Sequence, residues 1–176
     1  MALTELANNH AILCQCPEDI LPKCALLGIV LQVANHPSQF LWEKEGKFSI
    51  VVGQFSIFRT LAPLGKTPDM GIAVTLRAAK SSGLVRNDNL SLILQPTLPF
   101  DHPRRYQMEE DTTFEIEQSN EGECNFRLSC RSTGKKLYLR HQSGKLKLCA
   151  AAWNDPAFCQ DTVWRLWLIP RKSFYQ

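Results

Sequence analysis

Phe126 to Ala150, FRLSCRSTGKKLYLRHQSGKLKLCA, alternates apolar and polar residues, breaks at Ser132-Thr133-Gly134, alternates again, breaks at Ser143-Gly144, and alternates a third time. Alternation with period two, interrupted by short Gly-containing breaks, predicts three strands joined by tight turns. Two earlier stretches share its outline: LQVANHPSQFLWEKEGKFSIV (Leu31 to Val51) and VTLRAAKSSGLVRNDNLSLIL (Val74 to Leu94). Each opens with a strand anchored at Val33, Leu76 or Leu128 and turns through polar residues. Each then resumes at Leu41, Leu84 or Leu137, steps of 8, 8 and 9 residues. A second turn follows at Glu45-Gly46, Asn87-Asp88-Asn89 or Ser143-Gly144, then a third strand (Phe48 to Ile50, Leu90 to Leu92, Leu146 to Leu148). A fourth strand comes later at Phe58 to Leu61, Phe114 to Ile116 and Trp164 to Leu166, which makes Phe58, Phe114 and Trp164 equivalent core residues.

A supersecondary unit repeated at this period cannot bury its apolar face alone, so the copies must share a core. Three four-stranded units that close on themselves leave few open edges. The layout resembles the β-trefoil, an all-β fold in which three such units form a six-stranded barrel capped by hairpins. The expected division is an N-terminal extension over 1–26, one trefoil domain over 27–170 (repeats near 27–70, 71–123 and 124–170) and a tail at 171–176. In the extension, Thr4 to Ala11 reads as a short helix, and the segment is placed across the open end of the barrel. Leu64 to Met70 reads as a linker.

At 176 residues the chain can bury a sizeable core without staples. The net charge of +3 does not by itself imply a nucleic acid or a membrane. Seven cysteines form no even framework, so a disulfide scaffold is not expected. Cys14, Cys16 and Cys24 are too closely or unevenly spaced for a zinc knuckle, and no metal or cofactor is expected. The N-terminus lacks a basic segment ahead of an apolar run, and no stretch is long enough to span a bilayer. A cytoplasmic location is the expectation. No nucleophile elbow, phosphate loop, zinc-protease or dinucleotide-binding motif occurs, so no catalytic residues are assigned and the chain is read as a non-enzymatic binding module.

Two kinds of candidate site remain. Between Phe126 and Ala150 there are seven Lys and Arg residues and no acid. Arg131, Lys135, Lys136, Arg140, His141 and Lys145 are the candidates for a basic face. That face is either a solvated strand surface balanced by the acidic stretch Glu109 to Glu123, the plainer reading, or a surface for an acidic partner such as actin, a glycan sulfate, a phosphoinositide or nucleic acid. The second kind is a long loop. Val33 to Phe58 is a step of 25 residues, whereas Leu76 to Phe114 is 38 and Leu128 to Trp164 is 36. The two excesses, LPFDHPRRYQMEEDT and AAAWNDPAFCQDT, supply Asp101, His102, Arg104, Arg105 and Tyr106, and Trp153 and Asp155, where recognition tends to sit. Ala150 to Trp153 reads as a helical turn. Trp153 is expected to be buried, with stacking on a sugar ring as the alternative.

VTLRAA at Val74 to Ala79 before Gly83, and FRL at Phe126 to Leu128 before GKKLYL, are similar to the fascin-type unit. That resemblance implies binding of actin or another acidic surface through the basic face; the expected partner of the chain is a protein or a glycan rather than a nucleic acid. The runner-up is the ricin-type lectin, which DTVWRL at Asp161 to Leu166 resembles although its Q-x-W signature is missing. That likeness implies glycan binding, with Asp155 beside Trp153, or Asp101 beside Tyr106, as sugar-binding pairs. Protease inhibitors and interleukin-1-like cytokines share the scaffold and stay open as further alternatives.

Overall fold

A computed structural model of the chain describes residues 2–20, 27–66, 71–81, 83–95, 110–120 and 122–170. The first unit comprises β2 (Leu27–Val33), β3 (Gln39–Lys44), β4 (Lys47–Val52) and β5 (Phe58–Lys66). The second comprises β6 (Ile72–Ala78), β7 (Leu84–Asp88), β8 (Ser91–Gln95) and β9 (Thr113–Gln118). The third comprises β10 (Phe126–Ser132), β11 (Lys135–Gln142), β12 (Lys145–Ala150) and β13 (Trp164–Pro170). The outer strands of each unit pair in a ring, β2-β5-β6-β9-β10-β13, and β13 closes back on β2 from Trp164↔Val33 to Pro170↔Leu27. The inner strands form three hairpins, β3–β4, β7–β8 and β11–β12, which meet one another over one end of the barrel. The chain therefore folds as an all-β β-trefoil.

Strand register makes the threefold equivalence explicit. Phe58 stands opposite Ala78, Phe114 opposite Cys130 and Trp164 opposite Val33. Each aromatic residue lies at the start of the fourth strand of one unit and faces a smaller residue near the end of the first strand of the next, and all three rings are fully buried. Val33 is thus the counterpart of Ala78 and Cys130. The counterparts of Leu76 and Leu128 are Leu31, so the expected anchor Val33 lies two residues late. In the second strands the equivalent residues are Leu41, Val85 and Leu139, opposite Ile50, Leu94 and Leu148, rather than Leu41, Leu84 and Leu137. Apolar residues flank the true anchors on both sides, so alternation alone leaves the phase open by a residue or two. Leu31, Leu76, Leu128, Leu41, Val85, Leu139, Phe58 and Phe114 all reach one small interior void where the three units converge.

Four local expectations change. The helix begins earlier, as α1 at Ala2–Asn8. The supposed linker at Leu64 to Met70 is in part strand, because β5 runs to Lys66 and pairs with β6 after an irregularity between Leu61 and Gly65. The β7–β8 turn falls on Asn89 and Leu90, later than the polar run suggested. The helical turn expected at Ala150 to Trp153 is absent, and the helix is instead α2 at Pro156–Asp161, after the Asn154-Asp155 turn. Asp155 caps it, its side chain accepting from the Ala157 amide at 3.0 Å, and Pro156 occupies the first helical position, where no N–H is needed.

The N-terminal segment is built into the domain. Leu6 and Ala2 of α1 pack with Val30, Phe40 and Ile169 on the outside of the barrel wall. A two-residue strand, β1 (Ile12–Leu13), pairs with β13 at Leu168 and Trp167. Cys14 and Ile20 then enter the main core with no exposed surface.

Candidate functional site

The candidate sites arise where one unit meets the next. At each junction the second-hairpin turn of one unit and its link to the fourth strand approach the first turn of the following unit. The same backbone bond marks two of these junctions: Ala34 N to Val163 O (3.3 Å) and Ala79 N to Ile57 O (3.0 Å). Both junctions hold a cleft.

The cleft between units three and one has a volume of about 430 Å³ and is walled by His36, Gln39, His141, Gln142, Ser143 and Asp161, with the Gly144 backbone and Ala157 completing it. His141 is buried at its base. Its Nε2 donates to the Val163 carbonyl at 3.1 Å, and its ring meets Trp164 edge-on at 4.8 Å. Burial is the main force pushing the His141 pKa below its ordinary 6.5, partly opposed by the Val163 carbonyl and Asp161. Asp161 is held by Arg140, whose Nη2 and Nε lie 3.0 and 3.3 Å from the same carboxylate oxygen. The wall therefore offers amide, hydroxyl, imidazole and carboxylate groups close together.

The cleft between units one and two, about 510 Å³, is built from corresponding positions with different chemistry. Glu43 takes the place of His141, Lys44 of Gln142, Glu45 of Ser143, Ser81 of His36 and Phe55 of Asp161. Trp42, matching Arg140 in register, adds an indole ring, and Glu5 and Asn9 of the N-terminal segment add a further wall. Glu43 is buried, and its carboxylate accepts from Gly46 N at 2.9 Å and from Ser81 Oγ at 3.1 Å, tying the hairpin of unit one to the first turn of unit two. Asn87 occupies the same position in unit two and closes its own turn, Oδ1 accepting from Leu90 N at 3.0 Å.

At the third junction Glu110 accepts from Gly134 N at 3.2 Å and Asp111 stands 3.8 Å from Arg86. Asp111 is buried, which pushes its carboxyl pKa upward while Arg86 pulls it down.

The basic face takes a different form once the barrel closes. Pairing of β10 with β9 lays acids beside it. Arg131 lies 3.1 Å from Glu115, Lys136 pairs with Glu115 at 3.5 Å and with Glu117, and Arg140 pairs with Asp161. Lys135 and Lys145 are exposed at the turn ends. His141 is buried on the side of β11 that carries Leu139, not on the outer face with Arg140. Of the six basic candidates, His141 thus stands at the base of the unit three–one cleft, and Arg140 is linked to it through its ion pair with Asp161.

Of the loop candidates, Asp101, His102, Arg104, Arg105 and Tyr106 lie outside the described residues. Trp153 is 53 % exposed, contrary to the expectation of burial. It leans edge-on against Tyr138 and Phe158, each 5.3 Å away, and the Arg127 guanidinium lies 5.0 Å from its ring centre. Phe158, in ring contact with it, is fully buried and fills the inward position. Asp155 is beside it in sequence but is engaged in capping α2. The walls of both clefts went unrecognised in the sequence because their residues come from different units. The available signal was a polar residue, Glu43, Asn87 or His141, on the inward side of each second strand.

No group of three or more His, Cys, Asp and Glu that could hold a metal ion occurs among the described residues, and none of their helices is long and apolar enough to cross a membrane. The described cysteines are free thiols. Cys14 and Cys130 are pushed up to about 12, chiefly by burial.

No family model matches the chain, and no curated protein sequence matches it either. Among solved structures it is similar to SeviL bound to asialo-GM1 saccharide, with a TM-score of 0.54 and 15 % identity over 80 % of this chain and 96 % of that one. At that identity the likeness establishes a shared β-trefoil architecture.

Proposed function

We propose that this protein is a non-enzymatic glycan-binding module whose principal site is the cleft between units three and one. The observation that carries this reading is the polar wall formed by His36, Gln39, Gln142, Ser143 and Asp161, which two units bring together on a scaffold shared with a saccharide-bound protein. A sugar ring presents several hydroxyls in a small area. A carboxylate anchored by Arg140, with flanking amides, can accept from and donate to those hydroxyls without rearranging first. The ion pairs across the basic face favour this reading over a charge-driven one, because Arg131, Lys136 and Arg140 already have acidic partners.

A glycan array that includes the asialo-GM1 saccharide, run beside co-sedimentation with filamentous actin, separates the two readings. Glycan binding that free sugar reverses and added salt barely changes is expected. Replacing Asp161 with Asn together with Gln142 with Ala should weaken it by at least tenfold, corresponding to the loss of about two hydrogen bonds to a charged or amide group. Salt-sensitive pelleting with actin and an array without signal would instead favour the basic face.

A further inference from the structure

The cleft between units one and two is built around a carboxylate without a counter-charge. Glu43 is only 7 % exposed and forms part of the cleft wall. Its Oε1 accepts from Gly46 N at 2.9 Å, and both its oxygens stand 3.1 Å from Ser81 Oγ, which has a single proton to give. A carboxylate offers about four acceptor positions, so part of its capacity is unused, chiefly at Oε2. Among the described residues no Lys, Arg or His forms an ion pair with it. The other buried acids do have such partners: Asp111 has Arg86, and Glu115 has Arg131 and Lys136. A buried charge is costly unless it is paired, and Glu43 faces a cleft through which a partner can arrive.

The remaining walls suit a cation on an apolar stem. The half-buried Trp42 and Phe55 rings provide apolar surface, and the exposed Glu5 and Glu45 add negative charge at the rim. The Lys44 ammonium stands 5.7 Å from the Trp42 ring centre, so an alkylammonium of the chain itself already visits that ring. Glu5, Glu43 and Glu45 outnumber Lys44 and Lys80 in the lining, a balance that disfavours an anion. A compact ammonium matches one lightly used carboxylate oxygen, whereas the planar fork of a guanidinium is made for two.

We propose that the cleft between units one and two binds an aliphatic ammonium ion, with its charge against Glu43 and its methylenes along Trp42 and Phe55. Lys44 is then an internal competitor for the Trp42 ring. A second ammonium on the same ligand would meet Glu45 or Glu5 at the rim, which makes a short diamine the suitable probe. The site is separate from the unit three–one cleft and does not rest on the glycan reading.

The test is calorimetric titration of the full chain with cadaverine at low salt, alongside indole N–H spectra, with pentanediol as the uncharged counterpart. Saturable binding that shifts the Trp42 indole N–H and weakens with salt is expected, with no response to pentanediol. Glu43→Gln keeps an acceptor for Gly46 and Ser81 but removes the charge, and it should weaken binding by about tenfold. Glu45→Gln should weaken it less, and Lys44→Ala should tighten it by roughly twofold or more because the competitor is gone. Melting temperatures show which variants are folded; if Glu43→Gln is not, Glu45→Gln and Lys44→Ala decide. No heat and no indole shift, or an equal response to pentanediol, overturns the proposal. So does unchanged affinity in the charge-removing variants, or weaker binding in Lys44→Ala. Free asialo-GM1 saccharide titrated into the same variants reads the unit three–one cleft separately, so the failure of one reading leaves the other standing.

Discussion

Leu90 is a residue at odds with its backbone. The three hairpin turns β3–β4, β7–β8 and β11–β12 have positive φ at both central residues: Glu45 and Gly46 (54° and 82°), Asn89 and Leu90 (51° and 72°), Ser143 and Gly144 (52° and 78°). Such turns match the twist of the flanking strands and favour Gly at the second position. The Leu90 carbonyl accepts from Leu148 N at 2.9 Å across the cap, a backbone bond that any residue could make and that gives no reason for Leu. Its side chain is 48 % exposed, so little packing offsets the strain. Leu90→Gly should raise stability by roughly 0.5 kcal/mol, the relief of a left-handed Leu minus the added flexibility of the unfolded chain. Gly144→Ala should lower it by about 1 kcal/mol, although nothing lies within 4 Å of the added methyl, because φ alone opposes it. Urea midpoints of the two variants give the signs.

His141 provides a test at the same scale. Its pKa in the folded protein is below the ordinary 6.5 because burial penalises the charged ring. Asp161 favours the charge, whereas His36 and Arg140 oppose it. Well above pH 6.5 neither the folded nor the unfolded ring carries a proton, and this residue contributes no pH dependence. As the pH falls below that value the unfolded chain takes up a proton that the folded ring resists, so stability drops until the lower folded pKa is passed. Melting temperatures should fall between pH 7 and pH 5.5, and His141→Gln should flatten that part of the profile.

At the scale of elements, β10 and β11 show how strand pairing changes what a segment presents. Taken alone, Phe126 to Ala150 is a basic ribbon. Pairing with β9 sets Glu115 opposite Ser129 and Glu117 opposite Arg127, which lays one acidic row beside the basic rows of β10 and β11, where Arg131 stands opposite Lys136. Cross-strand pairs of opposite charge contribute a few tenths of a kcal/mol each. Arg127 goes further. It is buried, with Nε donating to Thr162 Oγ1 and Nη2 to the Cys159 carbonyl, both at 3.0 Å. It therefore secures the end of α2 and with it the Asp161 wall of the cleft. Arg127→Ala should weaken glycan binding without touching the ligand, and it should cost about 2 kcal/mol by leaving a buried carbonyl and hydroxyl short of a donor. Calorimetry paired with thermal melting checks both effects.

For the whole molecule, the N-terminal segment belongs to the folded unit. Cys14 and Ile20 are fully buried in the barrel core, and Leu6 is buried in the outer cluster. Burying an Ile or Leu side chain contributes roughly 1.5–3 kcal/mol. Deleting residues 1–20 should therefore cost several kcal/mol, a large share of a typical domain's stability, and lower the melting temperature by about 10 °C or more. A truncated chain that melts like the full one would show the segment to be dispensable.

The all-β class, the threefold repeat and the equivalence of Phe58, Phe114 and Trp164 were legible in the chain, because alternation and turn residues are local properties that repetition reinforces. The alternation left the phase of the anchors open at Val33, Leu84 and Leu137, since neighbouring apolar residues satisfy the pattern equally well. Which charges meet and which polar residues share a cleft follows from how the three units pack. His36 lies about a hundred residues before His141, and Trp42 stands far from Ser81 in sequence, so closure of the barrel brings them together. Exposure of Trp153 likewise depended on Phe158 taking the buried position, a competition between two aromatic residues that no local pattern records.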